Sequence, residues 1–167
     1  TGCWRAVETR QTSPVSLQNL QLRSLVRADN TLELSLHEYE MPQPGPDEVI
    51  VRVEATPLNP SDLALLLGPA DIGSLRVSGS PERPVVTAAI PDMFTKMVAA
   101  RRGQSLPVGN EGAGTVVATG SAEAAQALLG KTVGMAGGEM YARYRLVNVR
   151  ACLPLPAGTT AIDGASW

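Results

Sequence analysis

One segment constrains the fold more than any other: Gly109-Asn110-Glu111-Gly112-Ala113-Gly114, which runs into the β-branched Thr115-Val116-Val117. Glycines this dense are typical of phosphate-binding loops, but their spacing here does not match such a loop and no helix pattern follows. β-branched residues favour a strand, and glycines inside a strand indicate that another backbone passes close by. The segment therefore predicts a strand of a β-barrel.

The composition is that of a globular chain with many turns. A length of 167 residues suits one domain rather than two. The 16 Gly and 13 Pro, against two Trp, three Tyr and one Phe, indicate short elements joined by turns. With 44% hydrophobic and 18% charged residues, the chain can bury a core. We therefore expect a mainly β fold with short helices.

Charge and hydropathy exclude several classes of partner. The formal net charge of −2 argues against a nucleic-acid partner, which requires clustered Lys and Arg. No apolar run approaches the roughly 20 residues that a membrane helix needs. The N-terminus also lacks the pattern of a secretory signal peptide. We therefore expect no membrane partner and a cytoplasmic location.

Local signals predict three strands in the first third of the chain. Residues 1–19 are polar and irregular and are interpreted as a lead-in. A loosely alternating strand over 20–27, a turn at Asp29-Asn30 and alternating leucines over 32–36 predict a β-hairpin. Valines alternate with other residues over 49–53 and predict the third strand.

The middle of the chain differs from the first third in its residue pattern. Asn59-Pro60-Ser61-Asp62 predicts the start of a short helix, and Gly68 its end. Residues 69–106 begin with scattered Gly, Ser and Pro residues, which are typical of turns. A helical pattern then runs from Pro91 to Arg102. We predict that residues 69–106 form an insertion or lid rather than sheet.

Short elements continue towards the C-terminus. Ser121 is predicted as the N-cap of a helix over 122–129. Further short strands follow, with a turn at Gly137-Gly138. We interpret Tyr141 and Tyr144 as residues whose side chains fill the interior of the barrel. The order of elements predicts one compact irregular barrel over residues 20–158.

Five segments with characteristic motifs follow one another in this range. They are residues 44–53, 58–62, 107–120, 131–134 with 138–142, and 153–158. Together they resemble the catalytic domain of the medium-chain dehydrogenase/reductase superfamily, in its zinc-free quinone oxidoreductase-like branch. The resemblance implies a GroES-like partial β-barrel. No strand–GxGxxG–helix unit follows, so the Rossmann domain is expected to be absent and residues 159–167 to start the linker towards it.

The resemblance also bears on metal binding. Zinc-dependent relatives carry a Cys and a His at the positions that match Asn59 and Asn110, and amides are poor zinc ligands. Cys3 and Cys152 form no CxxC pair and, with His37 as the one histidine, cannot complete a four-ligand zinc site. We therefore expect no metal, and two separate reduced thiols are favoured over a disulfide.

Three residues are candidates for the cofactor or substrate cleft: Asn59, Ser61 and Asn110. The resemblance implies that Asn59 lies beside the cofactor, where an amide donates to a substrate carbonyl or to the cofactor. Structural alternatives stay open, because Asn before Pro is a common turn device and Asn110 follows a glycine. Ser61 matches a proton-relay hydroxyl of zinc-dependent relatives, with helix capping as the alternative. Glu111 is expected to be a structural carboxylate paired with an Arg or the loop backbone. No residue is assigned a catalytic role.

The resemblance implies an NADPH-dependent oxidoreductase that reduces a quinone or an α,β-unsaturated carbonyl, which is a small-molecule substrate. NADPH would be bound mainly by the absent Rossmann domain, so this chain alone is expected to be inactive. A homodimer is the expected assembly of the full-length protein. The alternative is a non-enzymatic GroES-like module for binding or assembly, and a heptameric ring in solution would favour it.

Overall fold

The computed structural model describes residues 16–166, in which β-strands predominate. The strands are β1 (Gln18–Val26), β2 (Thr31–Glu40), β3 (Glu48–Ala55), β4 (Arg76–Ser80), β5 (Arg83–Ala89), β6 (Ser105–Pro107), β7 (Glu111–Thr119), β8 (Thr132–Ala136), β9 (Tyr144–Asn148) and β10 (Cys152–Pro154). The helices are α1 (Pro60–Leu66) and α2 (Glu123–Gln126), with 3-10 turns at Ile72–Ser74, Asp92–Phe94, Ala99–Arg101 and Val149–Ala151. Within residues 16–166, no helix has the length and apolar character needed to cross a membrane.

The strands form two five-stranded antiparallel sheets. Their orders are β4-β5-β2-β1-β6 and β10-β8-β7-β3-β9. Backbone hydrogen bonds join the two sheets along β1, since the Leu22 N–H donates to the Tyr141 carbonyl at 2.8 Å and the Arg143 N–H to the Leu20 carbonyl at 3.0 Å. The mainly β, partial-barrel fold predicted from the sequence is confirmed.

The largest core cluster lies between α2 and the second sheet. Val49 and Val51 of β3 are completely buried, as the valine pattern predicted, and so are Val133 and Met135 of β8. Burying one such aliphatic side chain contributes about 1.5–3 kcal/mol. This cluster therefore fixes β3 and β7, whose ends carry the candidate site residues.

Residues 111–114 of the glycine-rich segment begin β7, as predicted, whereas Gly109 and Asn110 precede the strand. A Cβ atom added to Gly114 would overlap the carbonyl oxygen of Arg52 on β3, and one added to Gly112 would lie 2.9 Å from the Ala55 carbonyl oxygen. The glycines therefore allow β3 and β7 to pack closely where their pairing is irregular.

The prediction that residues 69–106 contain no sheet is wrong. β4 and β5 form a hairpin whose second strand pairs with β2, so the hairpin extends the first sheet. Every residue of β4 is exposed, so this strand lacks the apolar alternation that would have indicated it. The helical pattern over 91–102 is realised only as 3-10 turns. The role of the segment as an insertion or lid stays a prediction.

Three predicted boundaries are also wrong. β1 begins at Gln18, so the lead-in predicted over 1–19 overlaps the sheet, and its first 15 residues lie outside the described range. Asn19 is part of β1, and its side chain is buried. The Asn19 Nδ2 donates a hydrogen bond to the Tyr144 carbonyl oxygen at 2.9 Å. The N-cap of α2 is Ala122 rather than Ser121, and α2 ends at Gln126 rather than at residue 129. The Ala122 N–H donates to the Pro46 carbonyl at 3.0 Å.

Candidate functional site

The start of α1 is built around Asn59. Asn59 has an extended backbone (φ −88°, ψ 157°) and is the N-cap residue, with Pro60 at the first helical position, as the sequence predicted. The Asn59 N–H donates to Oδ2 of Asp62 at 2.9 Å. Asp62 is only 2% exposed, so the brace that holds the Asn59 backbone is buried beneath the helix.

The Asn59 side chain is held from a second direction by β7. Its Nδ2 donates to Oε1 of Glu111 at 2.6 Å, and Glu111 is the first residue of β7. The partner of the Glu111 carboxylate is thus an amide, where we expected an Arg or the loop backbone. Because Nδ2 carries two hydrogens, the bond to Glu111 leaves a second N–H for another acceptor.

Ser61 and Asn110 form an exposed pair beside Asn59. Asn110 Nδ2 donates to Ser61 Oγ at 2.9 Å, and both residues are exposed. The Asn110 carbonyl accepts from the N–H groups of Gly137 and Gly138, each at 3.1 Å, which holds the turn after β8. The structure therefore brings all three predicted site residues to one place, where the start of α1 meets the start of β7.

Tyr141 contacts the backbone just before Asn59. Its hydroxyl donates to the Pro57 carbonyl at 2.9 Å, two residues before Asn59. Its ring lies against Gly109, where a Cβ atom would come within 2.7 Å of the Tyr141 ring, and Gly109 adopts φ +93°. Burial, followed by the negative charge of Asp62, raises the pKa of Tyr141 to about 12. The sequence indicated only an aromatic filler here, because nothing local links residues 84 positions apart.

A cleft of about 720 Å³ borders the network. Its lining residues are Val53, Glu54, Ala55, Thr56, Pro57, Met140, Tyr141, Ala142, Ile162, Ala165 and Ser166. Tyr141 and Pro57 belong to both the cleft and the network, whereas Asn59, Ser61 and Asn110 lie beside the cleft. A hydrogen bond from Arg52, and another from Thr115, lower the pKa of the Glu54 carboxyl. The cleft is thus mainly apolar with a negative group on its wall.

The C-terminal turn forms the far wall of this cleft. Ala161 and Ala165 are buried against Ala113 of β7. Thr160 and Asp163 stabilise the turn, with the Thr160 N–H 2.9 Å from Asp163 Oδ2. The interpretation of residues 159–167 as a linker stays a prediction.

Cys152 is half-buried in the second sheet and forms no disulfide within residues 16–166. Burial raises the pKa of Cys152 to about 11, so the thiol is protonated at neutral pH. Cys3 lies outside the described residues, so its predicted separation from Cys152 is untested.

The Tyr141 hydroxyl gives a prediction for stability at high pH. The folded-state pKa of about 12 exceeds the ordinary value of 10.0, so the stabilisation is complete below pH 10 and is lost as pH rises towards 12. We expect Tyr141→Phe to flatten the loss of urea-unfolding free energy between pH 9.5 and 11.5, relative to the unmodified chain. Equal slopes for the Tyr141→Phe variant and the unmodified chain would contradict this account.

Comparisons with known proteins find relatives among solved structures alone: no family model matches the chain, and no curated protein matches it. A protein assigned as an NADPH:quinone reductase from Mesorhizobium loti shares 26% identity over 92% of this chain, with a TM-score of 0.55. One assigned likewise from Bacillus thuringiensis shares 20% over 90%, with a TM-score of 0.59. The CurK enoyl reductase shares 20% over 88%, with a TM-score of 0.54.

The match covers only part of each of these proteins. The chain spans 40%, 37% and 38% of their respective lengths. The resemblance to the medium-chain dehydrogenase/reductase superfamily, inferred from the five sequence segments, is confirmed. The chain therefore has the fold of the N-terminal domain of medium-chain dehydrogenase/reductase proteins, and it resembles their quinone reductase and enoyl reductase members.

Proposed function

We propose that this chain is the substrate-side domain of an NADPH-dependent, zinc-independent oxidoreductase that reduces a quinone or an α,β-unsaturated carbonyl. Similarity in fold to proteins named as NADPH:quinone reductases and an enoyl reductase supports the reaction class. We further propose that NADPH is bound mainly by a domain outside these 167 residues, so that the isolated chain is inactive. The cytoplasmic location and the homodimer stay predictions from the sequence.

The observation that carries the proposal is the clamp on Asn59. Its backbone N–H is held by buried Asp62 and its side chain by Glu111, at 2.9 and 2.6 Å. Such a donor is already oriented before a ligand arrives, so it loses little conformational entropy on binding. An amide fixed only to make a turn would not require the second contact, from a residue 52 positions away.

The chemistry assigned to this chain is positioning and polarisation. NADPH, when bound, supplies the hydride. The second N–H of Asn59 donates to the substrate carbonyl oxygen, which becomes more negative as the electron-poor carbon accepts the hydride, or it orients the cofactor carboxamide. A fixed donor is worth most where charge develops. The apolar lining of the cleft beside Tyr141 packs against the carbon skeleton of the substrate.

The donor set at Asn59 and Asn110 supports zinc independence. Both side chains are neutral amides, and their nitrogens are engaged with Glu111 and Ser61. Zinc sites in proteins are built from thiolate, imidazole and carboxylate ligands. Glu111 is the carboxylate beside these amides, but no group of three metal-ligating side chains occurs within residues 16–166. The residues described therefore do not fit a zinc centre, and no step of the proposed reaction passes through one.

The proposal is tested with an enzyme that contains this chain and a nucleotide-binding domain. We would join residue 166 to the nucleotide-binding part of the Mesorhizobium loti protein, whose N-terminal part matches this chain. NADPH oxidation is then followed with 1,4-benzoquinone or cyclohex-2-enone, with and without a zinc chelator. We expect turnover that the chelator leaves unchanged. Activity that disappears on chelation and returns with zinc would overturn zinc independence.

A further inference from the structure

A second concavity lies at the other end of α1, away from the cleft beside Tyr141. It is a surface groove of about 360 Å³, lined by Ala64, Gly68, Pro69, Met97, Val98 and Arg101. Five of these residues are apolar or glycine, and Arg101 is the one charged group among them. Met97 stays 66% exposed, so part of the apolar wall is in contact with water.

The Arg101 guanidinium is incompletely satisfied. Nη2 donates to Ser24 Oγ at 2.9 Å and to the Leu65 carbonyl at 3.1 Å. Nε is buried and has no hydrogen-bond partner within residues 16–166, and none of the ion pairs formed there involves Arg101. Nη1 lies at the groove, 3.9 Å from the position of a Cβ atom added to Gly68.

The surroundings disfavour this uncompensated charge. Burial lowers the pKa of Arg101, in keeping with a cation whose water has been replaced by apolar groups. If Arg101 had only a structural role, its hydrogen bond to the Leu65 carbonyl, in the last turn of α1, would be enough to explain it. That role uses Nη2 alone and leaves Nη1 directed to the groove.

The groove lies on the same face of α1 as the candidate site. Ser61 and Ala64 are three residues apart in α1, which places them along one side of the helix, and both are exposed. Ala64, which lines the groove, therefore lies on the same side of α1 as Ser61.

We propose that this groove binds an amphipathic anion, with its apolar chain against Ala64, Pro69 and Met97 and its carboxylate or phosphate on Arg101. A volume of about 360 Å³ is at the lower end of small-molecule sites and accommodates a chain of about six carbons. The site is independent of the proposed reductase function, because it requires neither NADPH nor Asn59.

Three probes with the same chain and different head groups test the site by calorimetric titration of the 167-residue protein. Hexanoate and hexyl phosphate carry the anion, and hexan-1-ol carries only the apolar body. A hydrogen bond to a charged group justifies an expected preference of about tenfold for the two anions. Equal binding of hexan-1-ol, or no binding of either anion, would overturn the proposal.

Variants separate the groove from general electrostatic attraction. Ala64→Phe should fill the groove and weaken hexanoate binding about tenfold while leaving Arg101 in place. Arg101→Lys should retain binding better than Arg101→Gln. Arg102→Gln is the matched control, since Arg102 is exposed and its Nη2 donates to Asn30 Oδ1 at 2.6 Å. Loss of hexanoate binding in Arg102→Gln equal to that in Arg101→Gln would contradict a site at Arg101. Unchanged binding in Ala64→Phe would contradict it as well.

Discussion

Replacing Gly114 by Ala is expected to destabilise the protein by about 3 kcal/mol or more, which is the upper part of the range for overpacked core positions. The added methyl group would overlap the Arg52 carbonyl oxygen, which is backbone and cannot rotate away. β3 would have to separate from β7, and this pairing carries the buried Val51 and Val116. Since small domains are stable by only about 5–15 kcal/mol, urea unfolding followed by circular dichroism will detect the loss.

The control for this prediction is Gly103→Ala. A Cβ atom at Gly103 meets no atom within 4 Å, but its φ of +73° is unfavourable for alanine. The expected cost is about 1–2 kcal/mol, from the backbone conformation alone. If Gly114→Ala lost no more stability than Gly103→Ala, close packing of β3 on β7 would not be the reason for the glycines.

Replacing Asn59 by Ala is expected to lower the kcat/KM of the joined enzyme about 100-fold, the effect of removing one fixed donor to a developing negative charge. The fall should be mainly in kcat if the donor acts on the carbonyl in the transition state. Loss of the N-cap should cost only about 1 kcal/mol of stability, so the variant is expected to remain folded. Circular dichroism and the KM for quinone are measured alongside.

Three further variants separate the role of Asn59 from that of a generic cap. Asn148 caps a 3-10 turn by accepting from the Arg150 N–H at 3.1 Å, and Asn148→Ala should leave kcat/KM unchanged. Glu111→Gln keeps an acceptor for Asn59 and should retain activity, whereas Glu111→Ala releases the side chain and should reduce kcat. Wild-type kinetics in Asn59→Ala would rule out the proposed role.

Much of the fold follows from local sequence signals. The turn at Asp29-Asn30, the alternating valines of β3 and the glycine-rich start of β7 each specify their structure within a few residues. The Asn59-Pro60 start of α1 is equally local. These elements could be predicted because the residues that determine them are neighbours in the chain.

The hairpin of β4 and β5 could not be predicted in this way. Its stability comes from pairing with β2, a partner far away in the sequence, while β4 itself is polar and exposed. The run Val85-Val86-Thr87 was the one available signal, since β-branched residues favour strands.

The candidate site shows the same limit. Asn59, Ser61 and Asn110 were found from motifs, but their partners were not. The Glu111 contact spans 52 positions and the Tyr141–Pro57 contact 84. Such pairs arise when β3, β7 and the segment after β8 assemble, and no periodicity in the chain encodes them. Glu111 was therefore expected to pair with an Arg or the loop backbone.

The central claim is that this chain supplies the substrate side of a reductase and requires a nucleotide-binding domain for turnover. The most direct measurement is NADPH oxidation with 1,4-benzoquinone by the 167-residue chain alone and by the joined enzyme, at equal concentration and after circular dichroism shows both to be folded. The account predicts turnover by the joined enzyme and none above buffer by the chain alone. Appreciable NADPH-dependent reduction by the chain alone would contradict it.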